Sequence, residues 1–333
     1  MKQNNIFKRT LSAVLLFLAS SLAWAYDFEQ GSIYYNINED GETMEVTSHN
    51  SDYPYNSESD YVGSIVIPAT VSYEGKTYRV TSIGDYAFQG CSSLTSVNIP
   101  DGVTYIGTYT FWNCSSLTSI NIPASVTSIG NSAFRSCTSL AAVNIPEGVA
   151  SIGTYAFYYC SALTSIVIPD GVTSIGERAF EFCSSLTSVT IGDGVTSIGN
   201  YAFQNCRSLT TVTIGKGVTN ISSYIFNSCT SLTAVICRAE NVPEIGYYIF
   251  NGVSKDKVTL YVPASALEAY KAADQWKDFG TILTLDDLPA GIGSPTLQDK
   301  AANAPYYTLD GKRVVNPTRK GIYIRNGKKT IMK

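Results

Sequence analysis

Seven cysteines, Cys91, Cys114, Cys137, Cys160, Cys183, Cys206 and Cys229, stand 23 residues apart without a slip, and a leucine follows each at the third position, from Leu94 to Leu232. A period this strict leaves no room for a conventional globular core and requires a solenoid, in which each unit packs only on its neighbours. The apolar columns of one unit are Leu94, Val97, Ile99, Val103, Ile106, Phe111 and Cys114. Burying these side chains offsets too little of the backbone entropy lost on ordering the unit, so no unit folds alone. Stacked units cover one another's apolar edges, and the question becomes what a repetitive surface binds.

Within each unit Leu, Val and Ile at strand positions one, four and six point inward, and positions two, three and five point outward. Pro100, Pro123, Pro146 and Pro169 end the strands by withdrawing a ladder donor. Asp101-Gly102 and Glu147-Gly148 make the turn, and Gly84, Gly107, Gly130, Gly153, Gly176 and Gly199 supply a second corner. The predicted fold is a β-rich solenoid of the α/β class with one parallel sheet of about nine strands, which at ~4.8 Å spacing is a ribbon roughly 40 Å long.

The ends of the chain break the pattern. Residues 1–25 carry Lys2, Lys8 and Arg9, the apolar run Leu11 to Leu22 and the small-x-small site Ala23-Trp24-Ala25, the layout of a signal peptide cleaved before Tyr26. The apolar run is too short for a retained membrane span. Residues 26–60 read as a β-hairpin capping module with a Glu39-Asp40-Gly41 turn. The array occupies 61–263, with a first strand at Val62 to Pro68 and an inserted Tyr73-Glu74-Gly75-Lys76 turn. A C-terminal cap is predicted over 264–285, where Ser265-Ala266-Leu267-Glu268 has the form of a capping box opening a short helix, Ala266 to about Asp274. Leu267, Tyr270, Trp276 and Phe279 then close the core. Residues 286–305 read as a linker and 306–333 as a basic β-hairpin tail with Asp310-Gly311 and Asn326-Gly327 turns.

Charge narrows the partners. The formal balance is −4, and loss of the leader, which holds three bases and no acids, takes it from 23 − 27 to 20 − 27, or −7. An acidic chain argues against nucleic acid. From Leu94 to Ile236 there are six acids and four bases, so the repeat surface is hydroxyl-rich and nearly uncharged. Beyond Pro295 nine Lys or Arg stand against Asp299 and Asp310, which marks the tail as a separate element.

The unit Ile-Gly-x-x-Ala-Phe-x-x-Cys-x-x-Leu-x-x-Val-x-Ile-Pro resembles the BspA-type leucine-rich repeat, typical of Bacteroidales and some parasitic protists, over about residues 61 to 263. Tyr261-Val262-Pro263 through Trp276-Lys277-Asp278-Phe279, and Gly321-Ile322-Tyr323-Ile324 with Asn326-Gly327-Lys328-Lys329, also look like Bacteroidales surface proteins. The tail is similar to the end of the sorting domain read by type IX secretion, although it is shorter than a full domain. The resemblance implies a leucine-rich repeat fold and an adhesin or binding role, with host fibronectin or fibrinogen among the family's ligands.

Chemical readings find little support. Cysteines of one column lie within bridging range, but their side chains run in parallel and seven is an odd number, which favours buried free thiols. Thiolates in a row do not converge on a metal. The only histidine, His49, lies outside the repeats, so no Ser-His or Cys-His nucleophile system is available to the regular surface. Gly192-Asp193-Gly194 and Gly215-Lys216-Gly217 fall in the ordinary turn column and lack the third glycine and following helix of a phosphate loop. Glu177 and Glu181 are expected to be solvated charges rather than a glycosidase pair. The chain is expected to be no enzyme and to use no cofactor.

Two surfaces are candidates for binding. One is the strand face, with outward Thr95, Ser96, Asn98, Thr118, Ser119, Asn121, Asn144, Thr164, Thr187, Thr190, Thr210 and Thr213. The other is a tyrosine column two residues before each core phenylalanine: Tyr86, Tyr109, Tyr155, Tyr201 and Tyr224, with Tyr248 in the last unit and breaks at Ser132 and Arg178. Each also has a purely structural explanation, as a hydroxyl ladder that solvates a sheet or as ring stacking. The strand face is preferred for its exposed donors. The function expected is a secreted or cell-surface binding protein, an adhesin for an extracellular protein such as a matrix protein. A glycan-binding protein is the alternative, kept open by the tyrosines, and a non-binding spacer is the third.

Overall fold

The computed structural model describes residues 26–48, 61–289 and 292, together with the strands Tyr306–Tyr307, Arg313–Val314, Gly321–Arg325 and Lys328–Met332. Residues 1–25, read above as a signal peptide, and His49 lie outside the described residues. The chain forms two compact units that meet in sequence between Leu288 and Pro289.

The first unit is a solenoid of 23-residue coils. One face carries a parallel ladder of the expected kind: β4 (Gly63–Val66), Leu94–Asn98, Ser119–Asn121 and Ala142–Val143, then Ser165–Ile168, Ser188–Ile191, Thr211–Ile214, Ala234–Cys237, Thr259–Val262 and Thr281–Thr284. The ladder is interrupted where the strand shrinks to Ala142–Val143, and there the Thr164 amide still donates to the Ala141 carbonyl at 3.3 Å. A second, narrower ladder, not separated in the sequence, joins the two-residue strands from Tyr105–Ile106 to Glu244–Ile245, with Ile106, Ile129, Ile152, Ile175 and Ile198 in register. This ladder starts on β6 (Lys76–Ile83), whose far side takes β3 (Thr43–Thr47) in parallel. Antiparallel β2 (Ile33–Ile37) and β1 (Phe28–Gln30) follow. The inserted turn is a two-residue hairpin from β5 (Thr70–Tyr73) to β6, with Glu74 and Gly75 at φ 51° and 79°, the positive values such a turn requires.

The predicted inward columns are buried, with Ile65 and Val143 partly so. Phe88, Phe111, Phe134, Phe157, Phe180 and Phe203 stack with centroids 5.1 to 5.2 Å apart and nearly parallel rings, a continuous aromatic rod along the core. The rod abuts Tyr61 at one end, 4.5 Å from Phe88, and runs on through Phe226 to Phe250, against which Trp276 and Phe279 stand edge-on. The corner glycines serve close approach, not a special φ: a Cβ on Gly153 would lie 2.6 Å from the Gly130 carbonyl oxygen. All eight cysteines are buried and free. Six of the column donate to the phenylalanine carbonyl of the coil before, as Cys160 Sγ does to Phe134 at 3.1 Å.

The C-terminal end differs from its prediction in detail. A 3-10 turn at Ala264–Ala266 leads into α1 (Leu267–Ala272), and no side chain caps its first turn, so the Ser265 capping box does not form. The entry turn is closed instead by the Ala266 amide on the Pro263 carbonyl. Gln275 takes a left-handed φ of 63° and its amide group substitutes for a further coil, accepting from Ile249 N–H at 3.2 Å and donating to the Gly246 carbonyl at 2.8 Å. The predicted linker begins inside ordered structure, because Leu283, Leu285 and Leu288 pack on Ala234, Ile236 and Tyr261 on the outer side of the long ladder. In the second unit, the four strands from Tyr306 to Met332 form an antiparallel sheet in which Arg325 and Lys328 are partners.

Candidate interaction surface

The residue two before each core phenylalanine, and the one before the repeat cysteines, adopts a left-handed backbone: Tyr86, Tyr109, Ser132, Tyr155, Arg178, Tyr201, Tyr224 and Tyr248 in one column, and Asn113, Ser136, Tyr159, Phe182, Asn205 and Ser228 in the other, all with φ between 54° and 62°. For an L-residue this conformation costs roughly 1–2 kcal/mol. It turns the amide toward the next coil, as in Tyr109 N–H to Asn131 O at 2.9 Å and Asn113 N–H to Arg135 O at 2.9 Å, and each such bond offsets about 1 kcal/mol. Glycine or asparagine would hold the same backbone at less strain. The second column often uses them, at Gly90, Asn113 and Asn205, whereas the first keeps tyrosine.

Tyr86, Tyr109, Tyr155, Tyr201 and Tyr224 are half-buried, whereas Tyr248, at the end of the column, is 60 % exposed. Tyr86 and Tyr109 lie 5.2 Å apart at 8°, and Tyr201 and Tyr224 lie 5.1 Å apart at 11°. Arg178, a break in the sequence pattern, is no break in the structure. Its guanidinium sits 4.3 Å from the Tyr201 centroid and 5.8 Å from that of Tyr155, and so continues the stack as a cation between rings. It also binds Glu181, buried at 2 % exposure, at 2.9 Å, and Glu177 at 3.3 Å. The two carboxylates therefore clamp one arginine instead of facing a common substrate, and Glu181 is a correction, since it is a buried, paired charge and not the solvated one expected. Burial raises the Glu181 carboxyl above the ordinary glutamate value, with Arg178 acting in the opposite direction.

Three residues further on in each coil, the sequence shows no consensus, and the structure assembles a second feature there that the repeat pattern did not single out. Arg135 lies 5.5 Å from the Trp112 ring, 5.6 Å from Tyr155 and 5.2 Å from Tyr158. Tyr158 in turn meets Phe182 edge-on at 5.7 Å, and Tyr159, 46 % exposed, packs beside both. The signal available in the sequence was that Trp112, Arg135, Tyr158, Tyr159 and Phe182 are departures from the repeat at neighbouring positions of consecutive units.

The strand face is placed outward as expected, but most of its threonine hydroxyls are engaged. Thr118, Thr164, Thr187 and Thr210 donate to the carbonyl of the coil before, at 2.9 to 3.4 Å. Thr95 is exposed, and its carbonyl receives the Thr118 hydroxyl. Ser96 is half-buried and donates to Ser64 at 2.8 Å. Ser119, Asn98, Asn121 and Asn144 are exposed and Thr190 is half-buried. Thr213 is a correction. It is 1 % exposed, because its column continues through Ile236 and Tyr261 into the apolar cluster closed by Leu283, Leu285 and Leu288. Among the described residues no group of three or more His, Cys, Asp or Glu is placed to hold a metal ion. No helix among them is long and apolar enough to cross a membrane.

A family model described as a BspA type leucine-rich repeat region matches residues 70–162 and 150–271, in six copies. The chain belongs to this family. Among solved structures, a BspA-like array of this kind is similar to a leucine-rich repeat protein of Bacteroides ovatus, 24 % identical over 78 % of this chain and 99 % of that one, with a TM-score of 0.44. A leucine rich cell surface protein of Faecalibacterium prausnitzii is 24 % identical over 82 % of this chain and 96 % of that one, TM-score 0.46. The leucine-rich repeat protein of T. pallidum is 28 % identical over 68 % of this chain and 88 % of that one, TM-score 0.47. No curated protein matches this BspA-type chain.

Proposed function

We propose that this BspA-type protein is exported, by a signal peptide at residues 1–25, to act as an adhesin at the cell surface or in the medium. Its partner is an extracellular protein, and it is bound through the tyrosine and arginine seam. The supporting observation is the left-handed column. Tyrosine or arginine occupies seven of its eight positions at a conformational cost that asparagine or glycine would lower, and Ser132 shows that a small residue fits. Positions held against backbone preference are where function is sought, and tyrosine with arginine is the composition of protein-binding hot spots.

A protein partner suits the seam better than a glycan. Sugar rings stack on exposed aromatic faces, whereas here most faces are taken by the next ring or by Arg178, which leaves edges and hydroxyls to meet a partner. The hydroxyl ladders of the strand face serve the backbone, and the array works as scaffold without an enzymatic role.

A binding screen of the full chain against immobilised extracellular-matrix proteins and a glycan array tests this reading. It expects protein ligands. Exclusive binding to neutral glycans would overturn it.

A further inference from the structure

Of the four bases between Leu94 and Ile236, Arg178 is paired with Glu177 and Glu181, and Lys216 reaches Asp193 at 3.6 Å. Arg207 is exposed on a turn. Arg135 differs from all of them. Its side chain is half-buried among Trp112, Tyr155 and Tyr158, it makes no ion pair or side-chain hydrogen bond with any described residue, and its Nε is buried without a partner.

An arginine so placed has its charge fixed and its flexible stem held, so the entropy that usually weakens a surface ion pair is already spent. Three rings flank it and no carboxylate answers it. A guanidinium presents its donors in the plane as a fork that fits a carboxylate at two points. Next to it, the exposed Tyr159 and the half-buried Tyr158 and Phe182 offer an apolar rim.

We propose that Arg135 is the anchor of a carboxylate-binding site for an acidic side chain of a protein ligand, presented next to an aromatic or apolar residue that rests against Tyr158, Tyr159 and Phe182. The site deepens the seam reading and rests on it. A uronic acid carries the same carboxylate, but its ring needs a free aromatic face beside the anchor, and Trp112, Tyr155 and Tyr158 already turn toward the guanidinium. An acidic peptide needs only an in-plane fork and an apolar rim, both of which the site supplies.

The probes are the acetylated, amidated peptide Gly-Phe-Asp-Phe-Gly, its Asn counterpart and an oligogalacturonate, each titrated onto the full chain and onto its Arg135→Gln and Arg135→Lys variants. The wild type should prefer the Asp peptide to the Asn peptide by roughly tenfold or more, the worth of a charge-assisted bond. Arg135→Gln should abolish that preference, Arg135→Lys should retain only part of it, and all three proteins should melt alike. An Asp preference that survives in Arg135→Gln overturns the proposal, as does Arg135-dependent binding of the oligogalacturonate without the peptide. Absence of any Asp preference in the wild type overturns it too. The matrix-protein screen run on Arg135→Gln separates the two claims: retained binding that is lost on tyrosine substitution leaves the seam standing and removes the anchor. Binding indifferent to both changes removes both.

Discussion

The Arg178 guanidinium lies 4.3 Å from the centroid of the Tyr201 ring in the next coil. The same arginine holds the carboxylate of Glu181, which is out of solvent. One side chain thus links the stacked seam to a buried charge, and it does so at a position the repeat pattern marks as a defect.

Removing it exposes both roles. Arg178→Ala leaves Glu181 buried without its donor and is expected to cost ~1.5–3 kcal/mol in urea denaturation, with part recovered in the Arg178→Ala, Glu181→Gln double variant. The pH dependence has a definite sign. A carboxyl whose folded pKa is raised contributes stability that is present below its unfolded value and lost as pH rises through the folded one. Arg178 opposes that rise. The single variant should therefore lose more stability at neutral pH than in acid, and a deficit independent of pH would show that Glu181 does not depend on Arg178.

The core columns are tested by size. Phe157→Ala and Leu163→Ala should each cost ~2–5 kcal/mol through the cavity left in a closed stack. Thr164→Ala removes one exposed hydroxyl bond to Ala141 and should cost about 1 kcal/mol or less. Equal losses in chemical denaturation would contradict the register.

The corner glycines give a sharper contrast. Gly153→Ala places a Cβ 2.6 Å from the Gly130 carbonyl oxygen, a backbone atom that cannot swing aside. A loss of ~1–3 kcal/mol is expected from this overpacking, visible as a lower melting temperature. A neutral result would mean that successive coils are not in this contact.

The thiols set a limit at high pH. Burial pushes Cys183 and Cys229 up to about 12 from an ordinary 9.0. Their protonated state favours the folded form, so stability is full below about pH 9 and declines as pH climbs toward about 12. Urea midpoints across that window should fall, and the native protein should resist an aqueous thiol reagent that labels the denatured one. Failure to label after denaturation would mean that the column is bridged.

What the sequence made legible follows from the physics of repetition. Any residue whose environment recurs every 23 positions, such as Phe157, Cys160, Leu163 or Gly153, was readable from its column, because each coil imposes the same contact. The features that escaped are those that interrupt the recurrence. The cation role of Arg178 and the three rings around Arg135 depend on which residues fall in adjacent coils, and a consensus averages these away. Burial of Thr213 depends on a return of the chain through Leu285 and Leu288 that shares no column with it. The Ser265 signal was local, and the backbone found a 3-10 entry to the helix that left it unused.

The proposed recognition lies in the seam and not on the strand face. Two triple variants of the full chain decide it, compared with the wild type on surfaces coated with fibronectin, fibrinogen or collagen. One carries Tyr155→Ser, Tyr201→Ser and Tyr224→Ser, a residue this column already accommodates at Ser132. The other carries Asn98→Ser, Asn121→Ser and Asn144→Ser on the strand face. With folding of both verified by their melting transitions, the tyrosine variant should lose at least roughly tenfold in affinity, about 1.4 kcal/mol, and the asparagine variant should bind as the wild type does. Loss confined to the asparagine variant, or binding untouched by either, would rule out recognition through the seam.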